Sequence, residues 1–138
     1  MNATLPARAA HCFLIIAGVL LLLPACQKDD GDTSLSPTIV FSSDSGYVFL
    51  DDTVGMEDTL LVGVTITGGD DKINTFKVLV NFDGVGDMTV DSLPVSSSPF
   101  QFEKTIITRG VPGTEKWTFW IQERDGDIYR RSLTFLVE

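Results

Sequence analysis

Histidine and cysteine are nearly absent from this chain. His11 is the only histidine, and Cys12 and Cys26 are the only cysteines. Two of these three lie within the first dozen residues, in a stretch that reads as a removable leader. What remains after it has one cysteine and no histidine. That composition excludes a disulfide framework, a Cys/His zinc site, a Ser-His-Asp triad and a Cys-His nucleophile pair. Positive charge is also scarce: ten Lys+Arg face 19 Asp+Glu, for a net charge of −9. Such a chain repels nucleic acid and anionic membrane surfaces, and neither is expected as a partner. Helical patterning is missing as well, since no window sustains apolar residues at i, i+3, i+4 and i+7.

One long apolar run is present, Phe13 to Leu23. It is too short to span a bilayer, which takes ~20 residues, and it has the length of a signal-peptide core. The residues before it are mildly basic and lack acids. Residues 1–25 are therefore expected to be a signal peptide. Its end, Leu23-Pro24-Ala25-Cys26, resembles the lipobox of bacterial lipoproteins. The resemblance implies that Cys26 is lipidated and becomes the new N-terminus. A lone thiol beside a polar stretch has no packing role, and each buried CH₂ of an acyl chain contributes ~0.8 kcal/mol to anchoring. Next comes Gln27-Lys28-Asp29-Asp30-Gly31-Asp32. A lysine and paired acids directly after the cysteine resemble the surface-export signal of Bacteroidetes-type lipoproteins. Lys28, Asp29 and Asp30 would then direct the protein to the outward face of the outer membrane. The competing reading is a solvated acidic linker on a periplasm-facing anchor. Residues 26–37 are too polar to bury apolar area and are expected to form a disordered tether.

From Thr38 the pattern changes to short runs rich in Val, Ile, Thr, Phe and Trp between Gly/Asp/Pro/Ser clusters. This predicts an all-β domain over 38–138. The expected strands are Thr38–Phe41, Tyr47–Leu50, Thr59–Thr67, Ile73–Phe82, Met88–Leu93, Phe100–Thr108, Glu115–Glu123 and Tyr129–Val137. Period-2 alternation turns Leu60, Val62, Val64 and Ile66 inward on one strand and Phe76, Val78, Val80 and Phe82 on the next. Trp117, Phe119 and Ile121 face Leu133, Phe135 and Val137 in the last two. Lys104 breaks the pattern of its strand, which predicts a bulge or a strand crossing the sandwich edge. Arg124 to Ile128 predicts a three-residue hairpin loop with Gly126 left-handed, pairing Phe119 with Leu133, Ile121 with Arg131 and Trp120 with Ser132.

Seven to eight antiparallel strands at roughly ten-residue spacing are the count of an immunoglobulin-like sandwich. Two stretches, Asp52 to Leu60 and Trp117 to Gly126, resemble the immunoglobulin-like and cadherin-like modules of such lipoproteins. They imply an architecture and no activity.

Candidate sites are few. Acids cluster at Asp51-Asp52 with Glu57-Asp58, at Asp70-Asp71, at Asp83 with Asp87, and at Asp125 with Asp127. Calcium binds converging oxygens, so Asp83, Asp87, Asp125 and Asp127 are its candidates. Turns select Asp and Gly for backbone reasons, and on that reading no metal is bound. No cofactor is expected and no enzyme, because exposed turn acids on a small sandwich lack a cleft. The remaining signal is Trp120, out of phase with the core and expected on an outer face with Lys116, Gln122 and Arg130. An exposed indole among polar neighbours suits a sugar ring or a protein partner. The expected role is a non-enzymatic cell-surface binding or accessory module for a glycan or protein ligand, anchored in the outer membrane. The alternative is a structural spacer or assembly subunit.

Overall fold

The computed structural model describes residues 35–138. The expected signal peptide, with Cys26, Lys28, Asp29 and Asp30, lies outside the described residues. Eight strands follow in order: β1 (Thr38–Phe41), β2 (Asp52–Val54), β3 (Thr59–Thr67), β4 (Ile73–Phe82), β5 (Asp87–Pro94), β6 (Phe100–Ile107), β7 (Gly113–Glu123) and β8 (Ile128–Val137). They form two sheets, with strand orders β1-β3-β6 and β2-β8-β7-β4-β5. This is the immunoglobulin-like arrangement: strands A, B and E oppose G, F, C and C′, with β2 as a short strand beside G. All pairings are antiparallel except β2 with β8, which is parallel.

The expected inward sets form the core. Val62, Val64, Ile66, Phe76, Val78, Val80, Trp117, Phe119, Ile121, Leu133, Phe135 and Val137 are all buried. Phe76 stands at the centre, with ring centroids 4.9 Å from Phe102, 5.4 Å from Phe100 and 6.5 Å from Phe119. Phe41 meets Phe119 edge-on at 5.3 Å. One end of this core is closed by a carboxylate. Glu115 is buried, its Oε1 accepting the Arg109 amide at 2.8 Å and its Oε2 the Trp117 indole N–H at 3.0 Å. Both oxygens have a partner, which is the condition for burying such a group.

Four expectations are corrected. Residues 47–50 form no strand. The chain there passes from one sheet toward the other, held by the Val48 amide on the Leu61 carbonyl at 2.8 Å and by the Tyr47 hydroxyl on Glu103. The strand follows at β2 instead. Lys104 makes no bulge: β6 pairs with β3 in unbroken register from Phe100 to Ile107. Its side chain does share the inward phase, but it sits at the sandwich rim, where its ammonium reaches Asp91 of β5 at 2.7 Å. Lysine's long stem lets the charge leave the core while the strand stays regular. The irregularities fall elsewhere: Val90 is an extra residue of β5 opposite Val78 and Leu79, and Asn74 is an extra residue of β4 opposite Gln122 and Glu123.

The last hairpin is shifted by two residues. Phe119 pairs with Arg131, Ile121 with Tyr129, and Trp120 with Arg130. A two-residue shift keeps every side chain on its expected face, so hydrophobic phase cannot detect it. The turn decides. The Glu123 amide bonds the Asp127 carbonyl at 2.9 Å, leaving the expected three-residue loop, but as Arg124-Asp125-Gly126. Gly126, with φ +107°, is its last residue rather than its middle one. Finally, ordered structure begins before Thr38. The Leu35 amide donates to Asp70 Oδ2 at 2.8 Å, the Asp70 amide returns a bond to the Leu35 carbonyl at 2.9 Å, and Pro37 is buried.

Candidate functional site

In the five-stranded sheet one face packs on the core, and the other carries no further layer among the described residues. Alternation places Lys116, Thr118, Trp120 and Gln122 of β7 on that outer face. Register then brings neighbours to each. Trp120 lies between Lys77 of β4 and Arg130 of β8; Thr118 lies between Leu79 and Ser132; Lys116 lies between Asn81 and Thr134. The Thr118 and Ser132 hydroxyls bond each other at 2.9 Å.

The four expected contact residues, Trp120, Gln122, Arg130 and Lys116, thus share one face. The exposure expected of Trp120 is corrected. Its orientation is outward, yet only 7 % of the residue is accessible. The Lys77 ammonium sits 4.6 Å from the ring centroid, in cation–π contact. Directly opposed side chains on two flanking strands can close over a central indole in a way that an isolated strand cannot reveal. The ring is therefore no bare platform. It is the support on which a cation rests, with Arg130 at its other side. Alternation also turns Lys77 outward, but its place in this group depends on β4 lying beside β7, which nothing in one strand's pattern reveals.

This face has a marked charge character. Strands β4, β7 and β8 contain only two carboxylates, Glu115 and Glu123, and both are buried on the inner side. The outer side carries Lys77, Lys116 and Arg130. Acids border the face at its two sides: Asp87 at the start of β5 accepts the Asn81 side-chain amide at 3.0 Å, and Asp51 accepts the Thr134 backbone amide at 2.8 Å. Lys116 and Arg130 are exposed.

A second feature lies at the end of the sandwich where the chain enters at Leu35. The β3–β4 turn (Gly68 to Ile73), the β5–β6 loop (Val95 to Ser98) and Arg124 line a groove of about 510 Å³. Asp70 is engaged there by Leu35.

The calcium candidates separate. Asp83 is held by the Arg109 guanidinium through two bonds, 2.5 Å and 2.7 Å long, and accepts the Thr114 amide at 2.8 Å. These contacts hold its carboxyl down at about 2. Asp87 is bound to Asn81. Neither joins a group of three acids among the described residues. Asp125 and Asp127 are brought together, and Glu123 joins them: one carboxylate oxygen from each of the three lies within 4.8 Å of the others. Sequence reading passed over Glu123 because its period-2 phase marks it as an inward strand residue.

No protein-family model matches the chain, and no curated protein matches it. Among solved structures it is similar to the sensor domain of the anti-sigma factor RsgI4 of Pseudobacteroides cellulosolvens, at 12 % identity over 73 % of this chain and 93 % of that one, with a TM-score of 0.47. It is similar to murine CRIg at 14 % identity, covering 74 % and 98 %, with a TM-score of 0.43. The CARDB domain of a Pyrococcus furiosus protein is similar at 16 % identity, covering 75 % and 90 %, with a TM-score of 0.36. The fold assignment rests on the strand order and pairing of this chain itself: an all-β, immunoglobulin-like sandwich of eight strands in two sheets.

Proposed function

We propose that this chain is a non-enzymatic binding module, held at the cell surface by a lipid on Cys26, and that its ligand is an acidic glycan. One observation carries the reading. The uncovered face of the five-stranded sheet places Lys77, Lys116 and Arg130 on its three central strands with no carboxylate among them, in a chain of net charge −9. Charge left to solubility alone would give this face the acidic character of the rest. Trp120 fixes Lys77 in place, so part of the ordering cost is met before a ligand arrives. A cationic strand surface with the half-buried Ser132 hydroxyl beside it suits carboxylated or sulfated sugars laid across the strands. The anchor and the outward-facing, outer-membrane location rest on the lipobox-like and export-signal-like residues of the N-terminus. Glu123, whose carboxyl burial pushes above its ordinary range, is only 4 % accessible, too enclosed for a substrate of sugar size, which supports a binding role over catalysis.

The test probes immobilised acidic and neutral polysaccharides with the full-length chain at low and high salt. Retention on the acidic set is expected, weakening with salt and lost when Lys77→Glu and Arg130→Glu are combined. Equal retention on neutral sugars, or unchanged retention by the charge-reversed variant, rejects the proposal.

A structural or assembly role has one observation in its favour. Among the described residues, nothing pairs with the outer edge of β6 over its eight residues, and no proline or bulge blunts it. Assembly through this edge predicts concentration-dependent oligomers that disappear in Ile107→Lys, at an exposed edge position. The β5 edge, with Pro94 and its bulge, is protected.

A further inference from the structure

Glu123 ends β7 on its inward face. It is more than nine-tenths buried, and its Oε1 has no hydrogen-bond partner. A buried carboxylate oxygen without a partner is costly, and native structures rarely keep one without a reason. Its surroundings make the cost greater. Asp125 and Asp127 of the following loop each bring a carboxylate oxygen within 4.8 Å of one on Glu123. Among the described residues, no lysine or arginine forms a salt bridge with any of the three. Lys72 and Arg124 border the adjoining groove, and the contact between them is Arg124's amide on the Lys72 carbonyl at 3.0 Å.

The spacing matches a shared cation. Two oxygens that share one calcium ion at ~2.4 Å can lie no more than ~4.8 Å apart. All three oxygens meet that limit. The loop holds the geometry by its own bonds: Glu123 to Asp127 through the backbone, Gly126 amide to the Glu123 carbonyl at 3.2 Å, and Asp127 amide to Asp125 Oδ1 at 3.1 Å.

We propose that the β7–β8 hairpin is a calcium-type divalent-cation site whose ligands are Glu123, Asp125 and Asp127. The ion gives the buried Glu123 oxygen its partner and turns mutual repulsion of the acids into shared attraction. Calcium is favoured over magnesium because a surface hairpin cannot impose the rigid octahedron that magnesium requires, and three carboxylates with water suit calcium's looser shell. An exposed site of this kind belongs to the weak, extracellular range of ~10⁻⁴–10⁻³ M. The site is independent of the cationic sheet face and of whatever ligand that face takes.

The test measures the melting temperature and calcium titration heat of the full-length chain with chelator, with millimolar calcium and with millimolar magnesium. Calcium is expected to raise the melting temperature by several degrees, and magnesium to raise it less. Asp127→Asn, at an exposed loop position that leaves the core intact, is expected to weaken calcium binding at least ~tenfold. Glu123→Gln is expected to raise the metal-free melting temperature, since it removes the unpartnered charge, and to abolish the calcium response. Absence of calcium heat and of any shift in the unaltered chain overturns the proposal. So does a calcium response that Asp127→Asn and Glu123→Gln leave unchanged.

Discussion

Asp83 shows how much one side chain can do when its partners are fixed. Arg109 grips it with two nitrogens while Thr114 donates its backbone amide, so the β4–β5 turn is tied to the start of β7. Gly113 makes the approach feasible. Its φ is +144°, and a Cβ there would fall 1.3 Å from Arg109 Nη2. The Asp83 carboxyl, lowered first by Arg109 and then by Thr114, titrates at about 2 in the folded chain. An unfolded aspartate titrates at ~3.9. The folded state thus binds the proton more weakly. The contribution is complete above pH ~4 and fades as pH falls toward ~2. Asp83→Asn should therefore destabilise the chain at neutral pH, and the difference from the unaltered chain should shrink through that acid window in denaturant titrations at stepped pH. Trp120 is the other residue with a clear test. An outward residue on a solvated strand should tolerate truncation, but this indole is covered and supports Lys77. Trp120→Ala is expected to cost roughly 2–4 kcal/mol by urea unfolding, close to the core range. A loss below ~0.5 kcal/mol would mean that the ring contributes no packing.

At the scale of elements, two cross-sheet ties sit on opposite rims. On one side Lys104 of β6 meets Asp91 of β5; on the other Arg131 of β8 donates to the Ile39 carbonyl at 2.8 Å and lies over the Phe41 ring at 4.7 Å. The Lys104–Asp91 pair is partly solvated, and a double-mutant cycle should give under ~1 kcal/mol of coupling. Coupling well above that would make the pair a determinant of sheet closure. These elements also mark what was legible in advance. β1, β3 and β4 carry clean alternation with turn residues at their ends, and their bounds and faces follow from the sequence. Residues 47–50 look like a strand by composition, but their backbone is spent on crossing between sheets. β2 has no apolar stripe of its own, being held from outside by β8, so only topology reveals it. Lys104 looked like a defect, because period-2 reading assigns a face and not a distance from the rim. The candidate sites follow the same division. The outward set Lys116, Trp120, Gln122 and Arg130 was legible from one strand pair, whereas Lys77 above the indole and Glu123 beneath the hairpin each depend on contacts across strands.

For the whole molecule, the proposed lipid on Cys26 has a direct test. Labelling with a palmitate analogue should require the Cys26 thiol, and Cys26→Ala should leave the protein unlabelled and released from membranes. Labelling that survives the substitution refutes the anchor. The strand layout adds a consequence for a domain restrained at that end. Leu35 lies beside Asp70, and β1 runs from there alongside β3 with four register pairs, Thr38 with Thr67 through Phe41 with Val64. Tension drawn outward along β1 pulls the strand lengthwise past its neighbour. All four pairs bear the load together instead of opening one after another, and Arg131, bonded to Ile39 and stacked on Phe41, resists the same sliding. A domain anchored through Cys26, as proposed, would hang on a shear joint, the geometry that resists drag when the opposite surface is gripped.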